Sequence, residues 1–271
     1  MTLASFFHIL QHLTLKVLQL YTLISIIKLV KKRLIRIKSL TPKVYDITAF
    51  DKLNLQEELL KYGLIVFKGN RSLSVADYEQ MSTRLGKLVH TKNHVLNKNN
   101  TIQIVSETDL FIDGDVEWHN DWSYGRGNYF GTMLYNKLNG EKSTTDFVDM
   151  KDAYQTYPNK QELEDQEGTY FPPDAYNYCF TEQQKRILEK RKQTRKFAHT
   201  HHITGDKVLY FSPGSLQTDI DVSHLITHCE KNIYEHQWEP NDILIYDNIR
   251  VMHRRHAFTG SRTLWRVQFW I

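Results

Sequence analysis

The 271-residue sequence has only two cysteines, Cys179 and Cys229, far apart and in no CxxC pattern. That excludes a disulfide framework and a cysteine-based zinc knuckle, and makes a reducing, cytoplasmic compartment the expectation. Acidic residues are missing altogether from residues 1–44, which hold eight of the 35 Lys and Arg. Without those eight, the body keeps 27 basic residues against 31 Asp and Glu, a net charge of −4. A slightly acidic body lacks the footprint of a nucleic-acid binder, so no nucleic-acid partner is expected. A clean apolar span is missing too. The Leu- and Ile-rich opening is broken by His8, Gln11, His12, Lys16, Gln19 and Lys28, which leaves it short of the ~20 apolar residues of a crossing helix. There is no internal repeat, and no heptad that would report an oligomeric interface.

What is present is the composition of a folded protein, 41% hydrophobic and 12% aromatic. Residues 1–40 read as a basic, apolar helical arm. Its pattern suits an amphipathic helix on the cytoplasmic face of a membrane, with residues 1–38 in contact; a helix packed on the domain and a targeting extension are the other readings. Thr41-Pro42 opens the body, 41–271. There LNLQEELLKYG reads as a helix, GLIVFKG as a buried strand, and SVADYEQMSTRLG as a second helix with Ser74 as its N-cap. After Trp118 come short apolar or alternating runs, NYFGTMLYNKL, STTDFVDM, KVLYFS, IYEHQW, DILIYDN and TLWRVQFW, which read as strands. Residues 149–167 and the charged stretch 181–196 read as helices between them. The expected fold is mainly β with peripheral helices around a double-stranded β-helix, a cupin-like jelly roll whose mouth admits a ligand.

In VEWHNDWSY, His119 and Asp121 are two apart, which on a strand puts both side chains on one face. Alone, the pair is a weak signal. His253, after the run DILIYDN, supplies a third donor, and two histidines with one carboxylate form the facial triad that leaves cis positions open on Fe(II). Arg262 and Arg266 in RTLWR share a strand face by the same period, and either guanidinium could grip a carboxylate with two charge-assisted hydrogen bonds.

Taken in order, WHND, PNDILIYDN, DNIRVMH and RTLWR resemble the successive blocks of the taurine dioxygenase-like (TauD/TfdA) family over roughly residues 60–271. The resemblance implies a jelly-roll oxygenase with Fe(II) on His119, Asp121 and His253 and with 2-oxoglutarate and O2 as co-substrates. It would hydroxylate an unactivated C–H bond of a small molecule, with release of succinate and CO2; desaturation, epoxidation and ring closure are the other outcomes of the same oxidant. By family position, Arg266 takes the far carboxylate of 2-oxoglutarate, and Arg262 lies nearer the metal-bound carboxylate or the substrate. Thr145 aligns with the threonine that hydrogen-bonds the co-substrate; Thr144 is its alternative, since a one-residue slip turns the other inward. Asp247 and Asn248 are supporting residues that fix the turn before His253 or orient a ligand imidazole. Trp118, Asn120 and Tyr124 are candidates for the surround of the metal or the substrate pocket. Asn241 stands where the family usually has glycine, and asparagine tolerates a left-handed conformation best among the other residues. His199, His201 and His202 fall in a segment resembling a family hairpin, so they read as strand histidines rather than a second metal site. A zinc-dependent hydrolase and a non-catalytic cupin-like binding protein are the alternative functions.

Overall fold

The computed structural model describes residues 40–91, 95–106, 114–125, 131–138, 143–172, 183, 186–187 and 190–270. The arm reading falls outside them, except for residue 40; the compact unit described below is Ser39–Ile271. Among the described residues no helix is long and apolar enough to cross a membrane.

Two sheets form the body. The larger contains β1 (Lys43–Asp46), β2 (Leu64–Lys68), β3 (Lys87–Leu88), β4 (Gln103–Ser106), β6 (Gly131–Leu138), β14 (Ile243–Asp247) and β16 (Thr263–Trp270), in the order β1-β2-β14-β6-β16-β3, with β4 also on β16. The smaller runs β13 (Tyr234–Gln237), β7 (Thr144–Asp149), β15 (Val251–Arg255), β5 (Val116–His119). Each sheet mixes strands from distant parts of the chain, the double-stranded β-helix expected from the strand pattern.

Side-chain alternation sorts the strands into layers. Leu244 and Tyr246 of β14, Leu264 of β16 and Leu134 of β6 face inward, with Phe147 and Val251 of the smaller sheet in the same apolar cluster. Their neighbours Ile243, Ile245, Trp265, Val267 and Met133 face outward and are covered by the helices Leu55–Tyr62 and Val75–Ser82. Burial on both faces explains why ILIYD is fully buried and reads as a continuous apolar run.

The helix boundaries follow from their caps. Ser74 and Asp77 form a reciprocal capping box, as SVADYEQ suggests. Asn54 caps the first helix, and Gly63 ends it at φ 76°, its carbonyl accepting from Asp247 N at 2.9 Å. Two expectations change. The 149–167 stretch is two short helices, Met150–Thr156 and Lys160–Asp165, because Pro158 interrupts it, followed by β8 (Glu167–Tyr170). The charged stretch ends as a strand, β9 (Gln193–Lys196), paired to β8. The hairpin expected over residues 197–211 is present as β10 (Ala198–Thr200) against β11 (Lys207–Leu209). A short β12 (Leu216–Gln217) completes the sheet on β8. Asn241 adopts φ 68°, in keeping with its place at a glycine position, and its side chain accepts from Tyr135 Oη at 2.9 Å.

Candidate metal centre

The two sheets bring a cross-strand row each to the interior. In the smaller sheet His119, His253 and Phe147 are direct partners across β5, β15 and β7. In the larger, Tyr246, Thr132 and Gln268 are direct partners across β14, β6 and β16. Asp121, just past β5, lies between the rows. The β5–β15 register shifts between His253 and Arg255, a bulge of the sort that re-aims side chains beside a site.

One Asp121 oxygen, Oδ2, accepts from the second row: Gln268 Nε2 at 3.2 Å, Tyr246 Oη at 3.3 Å and Thr132 Oγ1 at 3.4 Å. The other, Oδ1, faces the imidazoles, with His119 Nε2 at 3.7 Å and His253 Nε2 at 4.0 Å. The donor atoms of all three residues lie within 4.8 Å of one another. His119 Nδ1 is 2.7 Å from Glu117 O, which fixes that nitrogen as the N–H and leaves Nε2 its lone pair. Among the described residues, His253 Nδ1 is buried with no hydrogen-bond partner. Burial pushes the His253 imidazole down to about 3, with His119 adding to the effect. His119 is lowered by burial against the pull of Asp121. Burial pushes Asp121 up, but the charge of Arg266 beside it holds it below the usual carboxylate range. Two neutral imidazoles and one ionised carboxylate, converging through three atoms, are a donor set for a divalent cation.

Asn120 and Asn248 tie the halves of this group together. Asn248 Oδ1 accepts from Asp121 N and its Nδ2 donates to Asp121 O, both at 2.8 Å. Asn120 Nδ2 donates to Asn248 O at 2.7 Å and to Val251 O at 3.3 Å, and Asn120 N donates to Ser212 Oγ at 3.0 Å. The chain after β5 is thus clasped to the turn before β15. Asp247 fixes that turn by accepting from Ile249 N and Arg250 N, as expected, but its imidazole partner is His201 and not a candidate ligand.

Other expected residues fall differently. Trp118 does not line a pocket. Alternation turns it opposite to His119, into the core outside the smaller sheet, where Arg254 covers its ring at 4.4 Å. Tyr124 packs at the edge of that core, its ring tilted against Trp122 with centroids 5.7 Å apart. Thr145 faces inward, buried, and accepts from Trp238 Nε1 at 3.0 Å; Thr144 is on the other face. Arg266 lies on Asp121, its Nη1 3.5 Å from Oδ1, and its Nε and Nη2 donate to Gln103 Oε1. Arg262, also buried, lies over Phe258 at 5.6 Å, and Arg255 covers the same ring at 5.1 Å. Arg255, two residues past His253 on the same face, was not among the expected site residues, although its charge bears on His119. Its position in HRRHAF gave the signal that could have found it, since strand period puts His253 and Arg255 together.

Among the described residues, the one group of metal-capable side chains is His119, Asp121 and His253. The hairpin histidines do not form another. His199 is pushed down to about 4, by burial first and then by Arg195 and its neighbours. Because the folded state prefers it neutral, its contribution to stability is complete above the ordinary value of 6.5 and is lost as pH falls toward 4. Partial exposure discounts the effect, so stability at pH 5 should lie on the order of 1 kcal/mol below that at pH 7 from this group. Urea unfolding at both pH values, with His199→Gln showing a smaller difference than the wild type, checks it; equal differences would refute it.

A sequence model of the family described as taurine catabolism dioxygenase TauD, TfdA family matches residues 36–268. Among solved structures, a taurine dioxygenase from Burkholderia xenovorans is similar at 17% identity and TM-score 0.63, covering 85% of this chain and 82% of its own. The structure of AAD-2 in complex with Mn(II) and N-oxalylglycine is similar at 18% identity and TM-score 0.65, covering 84% and 94%. At these identities the structures speak for the fold, and the jelly roll is shared. The family match spans most of the sequence and contains every block that carried the resemblance, so the chain belongs to the TauD/TfdA family of Fe(II)- and 2-oxoglutarate-dependent dioxygenases, which are oxidoreductases.

Proposed function

We propose that this dioxygenase hydroxylates an unactivated C–H bond of a small molecule, with Fe(II) held by His119, Asp121 and His253. The observation that carries the metal assignment is the division of labour at Asp121: Oδ2 is occupied by three donors, while Oδ1 faces both imidazole Nε2 atoms. When bound, the iron supplies the oxidation, in which 2-oxoglutarate and O2 become succinate and CO2 as the substrate C–H becomes C–OH. The zinc-hydrolase and binding-module alternatives have no comparable support, because the family is an oxygenase family.

The protein's own part is positioning. The Tyr246–Thr132–Gln268 row orients the carboxylate, and the Asn120–Asn248 clasp holds the backbone that carries it. The larger sheet and its apolar cluster limit water at this end of the barrel. Arg262 and Thr145 are proposed to grip the far carboxylate of 2-oxoglutarate. Thr145 lies two residues beyond Phe147, the partner of His253, and Arg262 shares Phe258 with Arg255, which is two residues beyond His253. Both are therefore displaced from the ligands along the barrel, where Arg266 is not. The complex of the similar AAD-2 holds N-oxalylglycine, a dicarboxylate as long as 2-oxoglutarate.

Anaerobic titration of the metal-free protein with Fe(II) and 2-oxoglutarate tests the reading without a substrate. The weak visible band that Fe(II) develops with a chelating 2-oxo acid should appear and be lost in His253→Ala. A folded protein that gives no band would overturn the assignment.

A further inference from the structure

We infer that His201, on the hairpin between β10 and β11 and outside the candidate ligand set, is a positioning residue for Asp121, acting through Asp247 and Asn248. The inference rests on the proposed metal role of Asp121. His201 is almost wholly buried, and its ring nitrogens are both committed. Nδ1 lies 3.3 Å from Ile203 N and 3.2 Å from Thr204 N, two donors that fix it as an acceptor. Nε2 therefore carries the proton and donates to Asp247 Oδ2 at 3.0 Å. The hairpin closes around this ring: His201 N donates to Asp206 O and Gly205 N to His201 O, both at 2.8 Å.

Asp247 is held at both carboxylate oxygens. Its Oδ1 takes Ile249 N at 2.9 Å and Arg250 N at 3.1 Å, and its own N–H is bound to Gly63 O. With one oxygen on the turn amides and the other on His201, the carboxylate has a single orientation. Asn248 sits inside that turn, and its amide is the two-point clasp on the Asp121 main chain. Arg250, the next residue but one, anchors the turn on the far side through Asp149, with Nη2 2.6 Å from Oδ2, and through Leu60 O and Lys61 O. The turn is thus gripped from outside by Arg250 and from the hairpin by His201, and Asn248 carries that placement to Asp121. A carboxylate that has to converge with two imidazoles is sensitive to such a placement.

The test is a double-mutant cycle on the metal-free full-length chain, with Mn(II) as probe and free Mn(II) followed by electron paramagnetic resonance. His201→Ala and Asn248→Ala should each weaken Mn(II) binding by about tenfold to a hundredfold. The double variant should be no more than about twofold weaker than Asn248→Ala alone, since both act on one route. His201→Gln, which keeps an N–H for Asp247, should recover most of the affinity. If the alanine variant does not fold, His201→Phe keeps the ring volume and takes its place in the cycle. Losses that add overturn the route through Asn248. A folded His201→Ala or His201→Phe variant with unchanged affinity overturns the inference while leaving the metal reading intact, whereas a wild type that binds no Mn(II) removes both.

Discussion

Asp121→Ala and Asp121→Asn should both lose Fe(II)-dependent succinate release by at least about a thousandfold, since the metal supplies several kcal/mol of stabilisation that its binding group makes available. They should differ in stability. Asp121 Oδ2 is the common acceptor for Tyr246, Thr132 and Gln268, and Arg266 lies beside Oδ1. Alanine removes that shared acceptor, at about 1–3 kcal/mol for each group left unpaired, although Tyr246 Oη keeps His253 Nε2 within reach at 3.3 Å. Asparagine keeps a carbonyl oxygen for the row while removing the charge that a divalent cation requires. The asparagine variant should therefore unfold closer to the wild type on heating yet be as inactive as alanine. Activity above a tenth of wild type in either variant, measured by succinate formed per enzyme at saturating Fe(II), would remove Asp121 from the ligand set.

The part of this site legible in sequence is the part that strand period encodes. His119 and Asp121 two apart, with His253 after a buried strand, marked the candidate metal group that the structure brings together, and the ordered blocks marked the family. The Tyr246–Thr132–Gln268 row could not be read, because it depends on the register between β14, β6 and β16, whose residues are more than a hundred positions apart in the case of Thr132 and Tyr246. The same holds for the reciprocal clasp of Asn120 and Asn248, although each residue was marked as a neighbour of the site. Trp118 was misplaced for the opposite reason: proximity in sequence to His119 drew it toward the metal, while alternation puts adjacent strand residues on opposite faces. At the level of fold, the strands after Trp118 were visible because half- or fully buried strands carry their own pattern. Pro158 and the β9 strand were lost inside charged, polar stretches where helix and strand patterns are equally faint.

Arg262 and Arg266 show how far a period of two can go. It placed both on one face of the chain leading into β16, but face says nothing about depth along the barrel, and depth decides which arginine meets which carboxylate. Arg266 is beside Asp121 and fixed by Gln103, whereas Arg262 is four residues away, stacked over Phe258. Arg262→Ala should therefore raise the KM for 2-oxoglutarate by about 30- to 1,000-fold, the loss of roughly 2–4 kcal/mol from charge-assisted bonds to a carboxylate. kcat at saturating co-substrate should fall much less, because the metal group is untouched. Arg266→Ala should give the reverse split, with kcat reduced more than the KM for 2-oxoglutarate rises, since it removes a charge that stands against Asp121. Arg262→Lys should recover only part of the affinity, a single ammonium replacing a two-pronged guanidinium. Steady-state kinetics of the three variants separate the roles: a large KM effect in Arg266→Ala with none in Arg262→Ala would restore the assignment that sequence position alone suggests.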